Sequence, residues 1–346
     1  MQAGETFGAE LRAGGMPVDV HLWLWVVTVA LIVVMLAVDF IGHVRTPHEP
    51  TIKEAAIWSA IYVGIALVFG VIIWAMYGPV FGQEYLTGYI TEKSLSLDNL
   101  FVFVLIMAAF KVPRIDQQKV LLFGIVMALV FRTVAIILGK AAIEQFSWVF
   151  YIFGAFLIYT AIHQALPAKE EDEYHESWLI RWTRKVLPIT DDYVGDRVFV
   201  KVDGRRMVTP MLIVMIAIGS ADILFAVDSI PAIFGITEEI YLIFAANAFS
   251  LLGLRQLYFL VDGLLEKLVY LNYGLAVILG FIGVKLVMHA LHVNELPFIN
   301  GGEPMVSMPE IPIPVSLGVI LGTLVVTTVA SLWKSSRDSK KELAAK

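Results

Sequence analysis

The chain has 346 residues, 58% of them hydrophobic and only 16% charged, with a mean hydropathy of +0.78. A soluble domain is about 45–50% apolar, so this composition excludes one and predicts an all-α polytopic membrane protein, because lipid offers no partner to backbone amides outside a helix. A formal charge of −6 with no basic, aromatic-laced stripe argues against nucleic acid as a partner, and the lack of cysteine excludes disulfides and thiolate metal sites.

Residues 1–20 carry no basic n-region and no small-residue cleavage site, so they read as an extracytoplasmic segment before a retained helix. Runs of roughly 20 apolar residues, the length that crosses a bilayer, predict about nine transmembrane helices. They cover 21–41, 53–77, 84–110, 119–139 and 144–166, and then 209–234, 239–260, 270–291 and 313–333. The third and sixth are the least apolar. Residues 21–166 thus hold helices one to five and 209–333 hold six to nine, separated by a polar cytoplasmic loop at 167–208. In that loop Val198–Arg206 has the turn signal Val-Asp-Gly between two short strand-like runs, as in a local hairpin. Residues 334–346 form a basic tail.

Lys and Arg collect in alternate connections: Arg45 and Lys53; Lys111, Arg114 and Lys119; the 167–206 loop; Lys267; and the tail. The other connections lack them, Lys140 excepted. The positive-inside rule then places the chain in a plasma or inner membrane with its N-terminus outside and its C-terminus in the cytoplasm. Trp23, Trp25, Trp74, Tyr77 and Trp333 near span ends read as interface belts, as do His163 and His289 at helix ends. Gly64, Gly70, Gly124, Gly280 and Gly283 are expected where helices approach closely.

The third and sixth spans share a pattern. Ser96-Leu97-Asp98-Asn99-Leu100-Phe101 resembles Ser220-Ala221-Asp222-Ile223-Leu224-Phe225. Asp98 precedes Arg132 by 34 residues and Asp222 precedes Arg255 by 33; Gly154 to His163 matches Gly280 to His289, nine apart in both. Spans three to five and six to eight therefore read as two copies of three helices, an inverted 3+3 repeat of the kind whose sites lie at the repeat interface near the midplane.

Carboxylates inside spans are costly and mark function. The acids Asp39, Glu92, Asp98, Asp222 and Asp228 outnumber the bases Arg132, Arg255 and Lys285. With Asn99, Ser96, Ser220 and Asn247 they form an oxygen-rich set suited to Mg²⁺, Ca²⁺ or Mn²⁺ and not to soft metals. Glu92, Asp98, Asn99, Asp222 and Asp228 are the expected metal ligands, with Ser96, Ser220, Asn247 and Asp39 in support. Arg132 and Arg255 are expected to act in ion pairing or gating, since a cation repels them, and Lys285 likewise or as a built-in charge. Pro231 removes an amide and is expected to free a carbonyl near Val227.

At Glu92-Lys93-Ser94-Leu95-Ser96-Leu97-Asp98-Asn99-Leu100-Phe101, Phe225–Ala232 and Asn247–Phe259 the chain resembles the TerC family of integral membrane proteins, which includes Alx-type manganese exporters. The resemblance covers about residues 20–335 and implies Mn²⁺ efflux, with Glu92, Asp98 and Asp222 as foremost ligands and Asn99 and Asp228 next. The family name comes from tellurium-resistance loci. The expected function is export of a divalent cation, most of all Mn²⁺, by a secondary transporter with no organic cofactor. No P-loop supplies ATP drive, and no His-Glu-x-x-His or Ser–His arrangement suggests an enzyme. The alternative is a non-transporting membrane factor that supports metalation or assembly of exported proteins, or a stress complex, with membrane or secretion-complex proteins as partners.

Overall fold

The computed structural model of the protein describes residues 20–44, 51–146, 148–166, 180, 183, 187–190, 192–202, 205–261, 268–305, 309 and 311–345. The side chains of residues 43, 44, 98, 101, 205, 228, 261 and 338–345 lie outside that description. Helix α1 (Leu22–Asp39) runs into a short π-helical turn, Phe40–Val44. Helix α2 (Ile52–Tyr77) starts at Thr51, whose hydroxyl accepts the Glu54 amide at 3.2 Å. It stops at Gly78, where φ is +93° and glycine is favoured. Pro79 then opens α3 (Pro79–Ala109), followed by α4 (Arg114–Gln145) and α5 (Val149–Ala165).

The 167–208 loop is described only in part. Strands β1 (Phe199–Val202) and β2 (Arg205–Val208) pair antiparallel, Val202 opposite Arg205, which is the hairpin read from Val198–Arg206. Next come α6 (Pro210–Phe234), α7 (Ile240–Leu251), α8 (Leu254–Val261), α9 (Leu271–His292) and α10 (Ile313–Ala345). Among the described residues seven helical segments are long and apolar enough to cross a membrane: Leu22–Gly42, Ile52–Tyr77, Arg114–Gln145, Pro210–Phe234, Ile240–Leu260, Leu271–His292 and Ile313–Arg337. The third expected span, α3, carries Glu84, Glu92, Lys93 and Asp98 and falls outside that set; the fifth, α5, is a shorter apolar helix. Large apolar side chains cover the outer faces of α1, α2 and α10, with Leu22 79% and Val326 66% exposed. Water does not tolerate such a surface, and lipid does.

Two positions decide where a helix continues and where one breaks. Helix α6 continues through Pro231. The seventh span breaks instead, at Leu252–Gly253, where Gly253 has φ +81°. One missing amide inside α6 costs a single backbone bond, whereas a left-handed residue redirects the chain. Close helix approach also falls on particular glycines. A Cβ on Gly154 would lie 2.9 Å from the Gly283 carbonyl, and one on Gly283 3.0 Å from that of Gly154, so α5 and α9 touch backbone to backbone. Gly70 and Gly124 are similarly tight, while nothing lies within 4 Å of a Cβ at Gly64, so that glycine has no packing role.

The buried residues divide into two apolar clusters. One holds Tyr85, Tyr89, Ile136, Ala226, Ile230 and Phe249. The other holds Leu100, Phe103, Ile125, Ala128, Ile218 and Leu254. Along α4 and α6 the change of cluster falls between Ala128 and Ile136 and between Ile218 and Ala226, so Arg132 and Asp222 sit at the divide.

Candidate metal centre

At that divide α3, α4, α6 and α7 bring polar side chains together. Glu92 and Arg132 are fully buried, and Arg132 Nη1 donates to Glu92 Oε2 at 2.6 Å. Arg132 Nη2 lies 3.9 Å from Asp222 Oδ1. With its amide oxygen turned toward Arg132, Asn99 accepts from Nη2 at 3.1 Å and donates to the Leu95 carbonyl at 3.2 Å. Ser229 and Asn247 face the Glu92 carboxylate without closing hydrogen bonds of ordinary geometry. Among the described residues Glu92 Oε1, Asp222 Oδ2, Ser229 Oγ and both amide atoms of Asn247 are therefore buried without partners. Each such group costs about 1–3 kcal/mol until something meets it.

The depth follows from helix rise. Glu92 lies 13 residues into α3 and Asp222 12 into α6, about 18–20 Å at 1.5 Å per residue.

Of the expected ligands, Glu92, Asn99 and Asp222 converge, joined by Asn247. The backbones of Asp98 and Asp228 lie in α3 and α6, but their side chains are outside the described residues. Ser96 and Ser220 do not point their protons inward: Ser96 donates to the Glu92 carbonyl at 2.7 Å and Ser220 to that of Ala217 at 2.8 Å, each within its own helix. Among the described residues no three His, Asp or Glu side chains form a metal-holding group. Arg132 is at the centre of the set, an ion-pairing role in keeping with its expected one.

Arg255, matched to Arg132 by sequence spacing, has different partners. It donates to Asp39 Oδ1 at 3.0 Å and to Gln118 Oε1 at 2.8 Å. Asp39 Oδ1 also accepts from Tyr62 at 2.6 Å and Gln256 at 2.8 Å. This second buried knot ties α1, α2, α4 and α8 together, and Asp39 belongs to it. Lys285 neighbours Glu84, whose carboxylate accepts from Thr237 at 2.7 Å toward the other end of α3. Lys140, the exception in the charge pattern, lies 3.6 Å from Glu144 and 3.9 Å from Glu238. His289 lies 3.4 Å from Glu238, and the hydrogen bond from its imidazole holds that carboxyl below its usual range.

Sequence reasoning missed Ser229, Gln118, Gln256, Tyr62 and Lys93. Ser229 and Lys93 stand inside the motifs themselves. Lys93 adds a fourth base to the three counted in the spans, and its ammonium donates to the Ser250 carbonyl at 3.0 Å. Gln118, Gln256 and Tyr62 give no signal in sequence beyond being polar in an apolar run.

Comparison with known proteins agrees with the motifs. Residues 77–339 match the model of the integral membrane protein TerC family. The uncharacterized membrane protein Rv2723 of Mycobacterium tuberculosis is 50% identical over 325 residues, 93% of this chain and 82% of the relative. An uncharacterized membrane protein of Myxococcus xanthus is 40% identical, over 90% of this chain and 92% of its own. The proposed membrane-bound redox modulator Alx of Salmonella typhi is 38% identical, over 92% of this chain and 96% of its own. No solved structure matches. The chain belongs to the TerC family of integral membrane proteins.

Proposed function

We propose that the chain is a secondary transporter that exports a divalent metal cation, Mn²⁺ foremost, from the cytoplasm through a site between α3 and α6. One observation carries this reading: two carboxylates buried in the helix bundle, Glu92 and Asp222, each keep an oxygen without a partner among the described residues, beside the equally unpartnered Ser229 and Asn247. An oxygen-only set of that kind suits a hard or borderline dication. We take α3 and α5 as spans too, giving nine, with the N-terminus outside and the tail in the cytoplasm. The backbone contact of α5 with α9, whose Gly154–His163 and Gly280–His289 stretches match, favours the inverted repeat.

The two apolar clusters and the Asp39–Arg255 knot close the site from both sides. Transport then requires each side to open in turn, as in other inverted-repeat carriers. Metal is the cargo. The acids neutralise its charge and the neutral oxygens replace part of its water shell.

The Alx relatives are named for redox modulation. This chain has no cysteine, so it has no thiol with which to perform such a role itself. Control of a redox-active metal's concentration is the route we favour.

The test is metal flux in proteoliposomes, with Mn²⁺ compared against Ca²⁺, Mg²⁺ and Zn²⁺. Mn²⁺ flux in the native protein that is lost in folded Asp98→Ala and Asp222→Ala variants is the expected result. No flux under any gradient would replace the carrier by a non-transporting membrane factor.

A further inference from the structure

Lys93 follows Glu92 directly, and no role above uses it. Among the described residues its ammonium meets no carboxylate; its hydrogen bond goes to the Ser250 carbonyl at 3.0 Å. That carbonyl lies at the end of α7, immediately before the Leu252–Gly253 break. In an unbroken helix the amide of Leu254 would serve it. The break removes that donor, and the negative end of the α7 dipole points the same way. Lys93 thus sits where a cation would be drawn.

Among the described side chains Arg132 and Lys93 are the bases beside Glu92 and Asp222, and a dication bound to those carboxylates repels both. The more weakly held base gives way first. Arg132 is fully buried and clasped by Glu92 at 2.6 Å and by Asn99. Lys93 hangs on a flexible stem and, among the described residues, is held by one neutral carbonyl.

We propose that Lys93 is a tethered cation beside the metal-free site, and that a divalent ion bound beside Glu92 and Asp222 displaces its ammonium from the Ser250 carbonyl. Its departure frees the carbonyl at the break, five residues before Arg255, and so links cargo binding to the Asp39–Arg255 knot. Lys93 is a positioning residue in this account, which rests on the metal reading above.

The experiment measures Mn²⁺ binding to the purified full-length protein at fixed pH, together with flux in proteoliposomes. Lys93→Met removes the competing charge. It should bind Mn²⁺ about tenfold more tightly or better, since one unit charge at close range is worth at least that much in a protein interior. The same variant should show a lower maximal flux, because release no longer has a returning cation to drive it. Lys93→Arg should restore both towards native values. If Lys93→Met loses its cooperative thermal transition, Lys93→Gln takes its place with the same expectation. Binding by the charge-removed variant equal to or weaker than native overturns the proposal while leaving the metal site standing. Absence of Mn²⁺ binding by the native protein overturns the metal reading and this one with it.

Discussion

Arg132→Met tests the centre of the bundle most sharply. Arg132 Nη1 donates to Glu92 at 2.6 Å, and Nη2 serves Asn99 and approaches Asp222 to 3.9 Å. Methionine fills much of the volume but leaves two carboxylates in the membrane interior without their counter-charge. Removing one partner of a buried ion pair costs about 3–5 kcal/mol. Glu92→Gln leaves Arg132 with Asn99 and Asp222 and should cost less, about 1–3 kcal/mol. The double variant removes both members of the 2.6 Å pair, so it should be more stable than the sum of the singles by about 1–3 kcal/mol. Reversible denaturant unfolding in mixed micelles of the four proteins measures this coupling. Strict additivity, or an Arg132→Met cost under about 1 kcal/mol, would refute the view that Arg132 supplies the charge balance.

Other consequences are as specific. Gly154→Ala drives a methyl to 2.6 Å from Val287 and 2.9 Å from the Gly283 carbonyl, and should cost about 1–3 kcal/mol; Gly280→Ala, whose Cβ meets Ala161 at 3.5 Å, should be near neutral in the same unfolding assay. Tyr62→Phe deletes the 2.6 Å bond to Asp39 and should destabilise by about 1–2 kcal/mol, with α1 amides exchanging faster with solvent. Lys119 grips the Asp196 carboxylate and carbonyl, both at 2.7 Å, and that hydrogen bond holds the Asp196 pKa below its ordinary value. A lowered aspartate contributes stability above its unfolded pKa and loses it as pH falls through the folded one. Proteolysis of the 187–198 segment should therefore quicken only under acid conditions, and in Lys119→Met that pH step should vanish. The effect is small, a few tenths of a kcal/mol, because the pair is exposed.

Much of this architecture is legible in sequence because bilayer physics is strict. Apolar length marks the helices, and the cost of a buried charge makes Glu92, Arg132 and Asp222 stand out. The hairpin is visible because Val-Asp-Gly is a turn signal, and Lys140 departs from the charge pattern where acids neutralise it. What escapes the sequence is partnership. Arg132 and Arg255 look equivalent by spacing, yet one meets Glu92 and the other Asp39 and Gln118, because α1 brings an acid of its own to Arg255. The helix break gives no signal in sequence either. Pro231 loses one amide inside a packed helix and the helix survives, while Gly253 takes a left-handed turn against Tyr62, 3.0 Å from where its Cβ would be. Ser96 and Ser220 read as supporting oxygens by composition, and each spends its proton on its own helix, a local bond that sequence does not reveal.

The central claim is that a dication binds between α3 and α6. Anomalous scattering at the manganese edge from crystals grown with Mn²⁺ locates the ion directly. The account predicts a peak within coordination distance of Glu92 and Asp222, lost in Glu92→Gln crystals. A peak confined to the Glu84 and Glu238 end of the bundle, with none at Glu92, would contradict it.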